Sequence, residues 1–252
     1  MEGDLRYVLG TGARMSELAS GTVALVLTSP PYFPESVAST LSGPLGPDAD
    51  LVELEELILE LALTLRPVFE ECARVLVPGG RLIVQTRDVR LRHQLVPVAE
   101  EHRRAIEAIG FRLFTRHLWR PPVRTLGRRN MARSLLASHG PLPPDPEVFM
   151  VFFKSGAVQP GVPTAEDIEL LSADVLLNPR GRLPAPHPWQ SPLPVVTALI
   201  RSHTQVDDLV VDPFMGGGTV LWAAQRLGRR GWGCDTDPEA LRLAQRNLGP
   251  ST

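Results

Sequence analysis

A short polar and proline-rich motif follows an apolar segment near the start of the chain. The segment, residues 23–27, is typical of a buried strand, and Thr28-Ser29-Pro30-Pro31-Tyr32 follows it directly. Two successive prolines fix φ and carry no N–H group, so the turn leaves backbone carbonyl groups outside any strand pairing. Together with the Ser29 hydroxyl and the Tyr32 ring, these carbonyls could bind the exocyclic amine of a nucleobase and stack on its ring. A turn that only ends the strand explains this motif, taken alone, equally well.

A second motif follows another apolar strand at residues 209–211. Its sequence is Asp212-Pro213-Phe214-Met215-Gly216-Gly217-Gly218-Thr219, and a helical pattern begins at Val220. A glycine turn before a helix favours an anionic group, because free backbone amides and the helix dipole meet there. The spacing is not that of a nucleotide-phosphate loop, since Leu221 stands where G-x-G-x-x-G needs glycine and the Walker lysine is absent.

An acidic residue stands at the end of the next predicted strand. Residues 231–234 are apolar or small, and Asp235 follows them. It lies roughly 20 residues after the glycines, a spacing at which a carboxylate can bind ribose hydroxyls. The glycine run alone would often be only a helix-capping turn. Combined with Asp235, it predicts a cleft for an adenosine cofactor.

Together, these segments resemble the amino-methyltransferases that methylate exocyclic nitrogens of DNA bases with S-adenosylmethionine. The order is the permuted, beta-class one, in which the catalytic motif precedes the cofactor motif. Residues 28–32 resemble the catalytic motif in its Ser-Pro-Pro-Tyr form, and residues 212–219 resemble the cofactor motif. His187-Pro188-Trp189-Gln190 is similar to a family element beside the methionine end of the cofactor. The resemblance implies a cofactor site made of Thr28, His187, Gln190, Asp212, Pro213, Phe214, Gly216, Gly218, Thr219 and Asp235, and a catalytic site made of Ser29, Pro30, Pro31 and Tyr32.

The resemblance also implies a mechanism. The Ser29 hydroxyl and the Pro30 carbonyl would accept hydrogen bonds from the amine of a base that has rotated out of the duplex. Tyr32 would stack on that base. The methyl group would pass directly from the sulfonium to nitrogen, with no metal and no covalent enzyme intermediate. Because the Ser-Pro-Pro-Tyr form is commonest in cytosine enzymes, we expect cytosine N4 of DNA as the target. The alternative targets are adenine N6 of DNA and cytosine N4 of RNA. The alternative class of protein is a catalytically silent relative that binds nucleic acid.

Strand and helix patterns alternate along the chain, which predicts an α/β fold. We expect a Rossmann-like methyltransferase with a mostly parallel central sheet, helices on both faces and one antiparallel strand at residues 147–154. Helices are predicted over residues 51–75, 95–109 and 194–203, and the catalytic and cofactor strands should be adjacent at the centre of the sheet. Residues 1–252 are expected to form a single catalytic domain, with an irregular stretch at 33–50 and a short target-recognition insertion around 121–186.

Nine arginines are crowded between residues 103 and 133. A basic segment is often only a solvated surface, but its position near the predicted base pocket favours contact with DNA phosphates. The expected DNA-binding residues are Arg120, Arg124, Arg128, Arg129 and Arg133.

The overall composition is that of one compact enzyme domain. The chain has 252 residues, of which 43% are hydrophobic, and neither a hydrophobic run of membrane-spanning length nor a signal-peptide pattern is visible. Cys72 and Cys234 are expected to be packing residues rather than a disulfide or metal ligands. We therefore expect a cytoplasmic enzyme that binds DNA, with RNA as the alternative partner. A homodimer is one of the assemblies that the sequence allows. A partner restriction nuclease cannot be inferred.

Overall fold

The computed structural model of the protein describes residues 4–32, 51–91, 94–120, 146–158, 160–177, 183–185 and 190–251. The strands in these ranges are β1 (Leu5–Leu9), β2 (Val23–Thr28), β3 (Leu76–Thr86), β4 (Val89–Leu91), β5 (Gln94–Val96), β6 (Arg112–Arg120), β7 (Glu147–Phe153), β8 (Leu176–Leu177), β9 (Leu209–Asp212) and β10 (Arg230–Asp235). The helices are α1 (Leu51–Thr64), α2 (Arg66–Val75), α3 (Val98–Ala108), α4 (Ala165–Ser172), α5 (Leu193–His203), α6 (Thr219–Arg226) and α7 (Pro238–Leu248).

Eight of these strands form one mixed sheet in the order β1-β10-β9-β2-β3-β7-β6-β8, while β4 and β5 form a separate hairpin. The pairs from β1 to β3 are parallel, and β7 is antiparallel to both β3 and β6. The predicted Rossmann-like α/β fold with one antiparallel strand is therefore confirmed. This strand lies inside the sheet, because β6 covers its outer side.

The catalytic and cofactor strands are neighbours, as predicted. Leu25 and Val26 of β2 pair with Val210 and Val211 of β9. All four side chains are fully buried. Strands buried on both faces are typical of parallel sheets covered by helices, which explains why both sequences are continuous apolar runs rather than alternating ones.

Two hydrophobic cores cover the two faces of the sheet. On one face, side chains of α5, α6 and α7 pack against Leu25, Leu27 and Ile83. On the other face, α2 and α3 pack against Val26 and Val84. Both cysteines are buried and free. The part of the chain that the structure describes contains no helix that is long and apolar enough to cross a membrane.

Prolines account for two differences between the predicted and observed helices. The single helix expected over residues 51–75 is divided at Leu65, since Pro67 lacks an N–H group and stands at the start of α2. The helix expected from residue 95 begins only at Val98. Pro97 disfavours helical geometry in the residue before it, and Val96 accordingly ends the short strand β5.

The expected irregular stretch after β7 contains regular structure in its described part. Thr164 caps the N-terminus of helix α4. Its side chain accepts a hydrogen bond from the Asp167 backbone, while the Asp167 carboxylate accepts one from the Thr164 backbone. Asp167 also pairs with Arg201 of α5 at 2.6 Å. These contacts hold α4 against α5. Strand β8 pairs with the end of β6, so this part of the chain belongs to the main sheet.

A glycine at the start of β3 allows two chain segments to approach closely. Gly79 has a φ of +82°, and a Cβ atom at this position would lie 1.9 Å from the Ala157 carbonyl oxygen. Gly79→Ala therefore combines backbone strain with a backbone clash, and we expect it to lower the free energy of unfolding by about 2 kcal/mol or more in urea titration. Gly110→Ala is the matched control, because φ is +104° there but a Cβ atom would have no neighbour within 4 Å in the part of the chain that the structure describes. Equal losses in the two variants would contradict this explanation.

Candidate active site

The predicted catalytic turn and the predicted cofactor turn meet at one edge of the sheet. The parallel strands β10, β9, β2 and β3 all end there, in Asp235, Asp212, Thr28 and Thr86 respectively. Because β7 runs in the opposite direction, its first residue, Glu147, reaches the same edge. Crevices outside the carboxyl ends of parallel strands are the usual ligand sites of such sheets.

A buried hydrogen bond joins the two motifs at the centre of this edge. The Thr28 hydroxyl donates to Asp212 Oδ1 at 2.6 Å, and the Phe214 backbone amide donates to the same oxygen at 3.1 Å. Burial raises the pKa of the Asp212 carboxyl to about 7, and the charge of Asp235 acts in the same direction, whereas the two hydrogen bonds oppose the shift. Thr28 and Asp212 therefore connect the catalytic turn with the cofactor turn.

The glycine turn lies against the carboxylate of Asp235. The Gly216 amide donates to Asp235 Oδ2 at 2.9 Å, and the Asp237 amide donates to Oδ1 at 3.0 Å. Gly216 has a φ of +51°, and no atom of the described residues lies within 4 Å of the position that a Cβ atom would take on it. Each carboxylate oxygen of Asp235 keeps a second lone pair for another donor. The turn then enters α6, with Gly218 at its N-terminal cap.

The proline turn brings a hydroxyl and an aromatic ring together. Ser29 and Tyr32 are half-buried, Pro30 is buried and Pro31 is exposed. Ser29 Oγ lies 2.9 Å from the Tyr32 hydroxyl oxygen, and the Arg87 guanidinium lies over the Tyr32 ring, 5.5 Å from its centroid. The side chains expected to bind a base therefore form one cluster.

Residues that sequence reasoning missed complete this cluster. The Tyr32 hydroxyl donates to Glu147 Oε2 at 3.2 Å, and the Gln85 side-chain amide donates to the same oxygen. Burial raises the pKa of the Glu147 carboxyl, while Gln85 and the Arg87 charge oppose the shift. A signal for Glu147 was available, because it is the one charged residue in the strand sequence EVFMVFF, and a charge in a buried strand needs partners.

Several buried polar atoms at this edge have no hydrogen-bond partner among the described residues. They include Gln85 Oε1, Trp119 Nε1 and Arg120 Nε. Both side-chain amide atoms of Gln190, which lies shortly before α5, are likewise buried and without a partner among the described residues. Gln85 and Trp119 lie on the same face of the sheet, because Gln85 pairs with Phe149 and Trp119 pairs with Glu147, two positions earlier in β7. Buried polar groups normally have partners, so such atoms indicate space for a polar ligand.

The other predicted residues divide into two groups. Pro213 and Thr219 are buried and Phe214 is half-buried within the cofactor turn, and Arg120 is half-buried at the end of β6. The remaining predicted residues lie outside the described residues: His187, Arg124, Arg128, Arg129 and Arg133.

The arginines that lie on α3 are neutralised by that helix itself. Arg103 forms ion pairs with Glu100 and Glu107, and Arg104 forms ion pairs with Glu100 and Glu101. The basic character of the 103–133 segment therefore begins after α3. Within the described ranges, no three His, Cys, Asp or Glu side chains are grouped so that they could hold a metal ion.

Comparison with known proteins shows the family to which the chain belongs. The family model described as DNA methylase matches residues 23–246. The type II methyltransferase M.MjaI of Methanocaldococcus jannaschii is 28% identical over 97% of this chain and 91% of its own, and M.MthZI of Methanothermobacter thermautotrophicus is 26% identical over 92% of this chain and 73% of its own.

Solved structures extend the comparison to the fold. TTHA0409 of Thermus thermophilus, complexed with S-adenosyl-L-methionine, superimposes with a TM-score of 0.68 at 25% identity over 99% of this chain and 96% of that one. The PvuII cytosine-N4-specific DNA methyltransferase superimposes with a TM-score of 0.72 at 18% identity over 100% and 89%. This chain belongs to the N4/N6 amino-methyltransferase family of S-adenosylmethionine-dependent DNA methylases.

Proposed function

We propose that this protein transfers a methyl group to the exocyclic N4 of cytosine in DNA. The observation that carries the proposal is the Ser29-Pro30 turn, which follows β2 directly beside the cofactor strand β9. Its Ser-Pro-Pro-Tyr sequence is the form commonest in cytosine enzymes of the family that it resembles. We also propose that residues 1–252 act as a single catalytic domain.

Acceptor groups in the turn would activate the amine of the target base. The lone pair of an aromatic amine is delocalised into the ring, so the nitrogen is a weak nucleophile. Hydrogen bonds from its protons to Ser29 Oγ and to the Pro30 carbonyl would localise that pair on nitrogen. Catalysis would then rest on positioning and electrostatics rather than on a covalent intermediate.

The Tyr32 ring would hold the base after it leaves the duplex. The amine of a paired base cannot reach a cofactor bound in the crevice, so the base must be rotated outward. Arg87 lies over one face of the Tyr32 ring, and we infer that the base stacks on the other. Gln85 Oε1 and Trp119 Nε1, which have no partner among the described residues, would offer an acceptor and a donor to the edge of the base.

The cofactor half of the crevice fits S-adenosylmethionine. Asp235 keeps acceptor capacity for ribose hydroxyls, the space beside Gly216 is open, and both polar atoms of the Gln190 side chain are buried and unpartnered within the described residues. When bound, S-adenosylmethionine supplies the methyl group from its sulfonium. We propose that Thr28 and Asp212 fix the distance between the two halves of the crevice through their hydrogen bond.

The cofactor site should depend on Asp235 and Gly216. Asp235→Ala removes the acceptors for ribose, and we expect S-adenosylmethionine to bind more weakly by about 1–3 kcal/mol in calorimetry. Gly216→Val places a branched side chain in the open space, in a backbone conformation that favours glycine, and should weaken binding as well. Asp208→Ala, at the opposite end of β9, is the matched control. Unchanged affinity in both site variants would exclude this placement of the cofactor.

The basic residues after α3 would contact DNA phosphates. Arg120 stands at the end of β6, next to the crevice, and Arg124, Arg128, Arg129 and Arg133 follow it in the sequence. Replacing Arg124, Arg128 and Arg129 with alanine should weaken DNA binding and reduce the slope of log affinity against log salt by about one per lost contact. Arg104→Ala is the control, because its own helix neutralises that charge. An unchanged slope would show that the three arginines do not meet phosphates, and a loss confined to one DNA sequence would indicate base reading.

The identity of the methylated nucleoside tests the proposed reaction. We expect N4-methylcytosine when DNA methylated by the protein is digested to nucleosides and the products are identified by mass spectrometry. N6-methyladenine would replace our proposal with the adenine alternative, and a modified nucleoside in RNA alone would exclude DNA as the substrate.

Ser29→Ala should slow methyl transfer by about tenfold or more, because one acceptor for the amine is lost. Its affinity for S-adenosylmethionine should stay near the wild-type value, since the Asp235 side of the crevice is intact. Ser155→Ala, an exposed serine beyond the other end of β7, is the matched control. A wild-type rate in Ser29→Ala would contradict the role of this hydroxyl.

A further inference from the structure

Glu147 is a buried acid whose partners lie in the proposed base pocket. It is 7% exposed and is the first residue of β7, a strand that is otherwise apolar. Its Oε2 atom accepts hydrogen bonds from the Gln85 amide of β3 and from the Tyr32 hydroxyl. The carboxyl therefore connects β3 and β7 with the catalytic turn.

The convergence of two donors on one oxygen fixes the direction of these hydrogen bonds. The Gln85 side-chain N–H can only donate, and an amide donor selects the carbonyl or carboxylate oxygen of a carboxyl group over its hydroxyl oxygen. Any proton of Glu147 therefore resides on Oε1, and Oε2 also accepts from the Tyr32 hydroxyl. The Tyr32 hydroxyl has a single proton, and that proton points to Glu147. Tyr32 is therefore an acceptor on its remaining side.

This direction determines what the Ser29 hydroxyl can do. Ser29 Oγ lies 2.9 Å from the Tyr32 oxygen, and since the proton of Tyr32 is already engaged, Ser29 must supply the proton of this bond. The chain of donors then runs from Ser29 to Tyr32 to Glu147. Both lone pairs of Ser29 Oγ stay available, and the serine can face an amine only as an acceptor.

We propose that Glu147 is a positioning residue that acts through Tyr32 to hold Ser29 as a hydrogen-bond acceptor for the target amine. The inference rests on the proposed role of Ser29 in methyl transfer. It assigns to Tyr32 a function of its hydroxyl group in addition to the stacking of its ring.

The substitution Glu147→Gln should reverse the direction of this chain. The new amide can donate to the Tyr32 oxygen, so the proton of Tyr32 becomes free to point to Ser29 and to occupy one of its lone pairs. We expect the single-turnover rate of methyl transfer, at saturating DNA and S-adenosylmethionine, to fall about tenfold or more. The affinity for S-adenosylmethionine should stay unchanged, because Asp235 and the glycine turn lie on the other side of the crevice. Glu107→Gln, an acid on α3 outside the site, is the control.

A double-mutant cycle separates this role from a structural one. Tyr32→Phe keeps the ring but removes the hydroxyl, so Glu147 loses its connection to Ser29. The double variant should therefore be as slow as Tyr32→Phe and no slower. Multiplied losses in the double variant, or a wild-type rate in Glu147→Gln, would overturn the proposal.

A spectroscopic measurement tests the contact without activity. The chain has two tyrosines, Tyr7 and Tyr32. Protein labelled at the tyrosine ζ carbon should give two resonances, and Tyr32→Phe identifies the second. Glu147→Gln should shift the Tyr32 resonance and leave that of Tyr7 in place, and an unmoved Tyr32 resonance would overturn the contact.

The outcomes also distinguish this proposal from the proposed function. A wild-type rate of methyl transfer in Ser29→Ala would contradict the proposed role of Ser29 in the reaction. The proposed role of Glu147, which depends on it, would then be contradicted as well. A slow Ser29→Ala variant combined with multiplied losses in the cycle would remove only the role of Glu147.

Discussion

The pairing of β2 with β9 is the interaction on which the site depends. It joins two segments whose linked side chains, Thr28 and Asp212, are 184 positions apart in the sequence. The main-chain ladder between Leu25 and Val210 aligns the ends of the two strands, and the Thr28–Asp212 hydrogen bond fixes the turns that follow. Without this register, the acceptor groups of one turn and the glycines of the other would not face the same crevice. The outer strands extend the crevice on either side of this pair.

Sequence reasoning was most successful where residue type and position had one physical explanation. An apolar run without alternation predicts a strand buried on both faces, and both β2 and β9 are such strands. The antiparallel orientation of β7 and the position of Asp235 at the end of a strand also agree with expectation. These features follow from local pattern together with the rule that parallel strands end at a common edge.

Features that depend on long-range contacts could not be predicted in the same way. The hairpin of β4 and β5 and helix α4 are too short to give a clear periodic signal. Two of the helix limits were wrong because Pro67 and Pro97 outweighed the hydrophobic pattern around them. The partners of Glu147 come from β3 and from the catalytic turn, so its burial was visible in the sequence but its contacts were not.

The reversed direction of β7 has a consequence for where the chain can vary in length. Trp119 of β6 pairs directly with Glu147, so the segment between these strands leaves the sheet and returns to it at neighbouring positions beside the crevice. Residues can be added or removed between two such fixed ends at small entropic cost, without altering the register of the sheet. The chain between β6 and β7 is thus free to vary beside the crevice, while Thr28, Asp212 and Glu147 stay on strands whose pairing need not change.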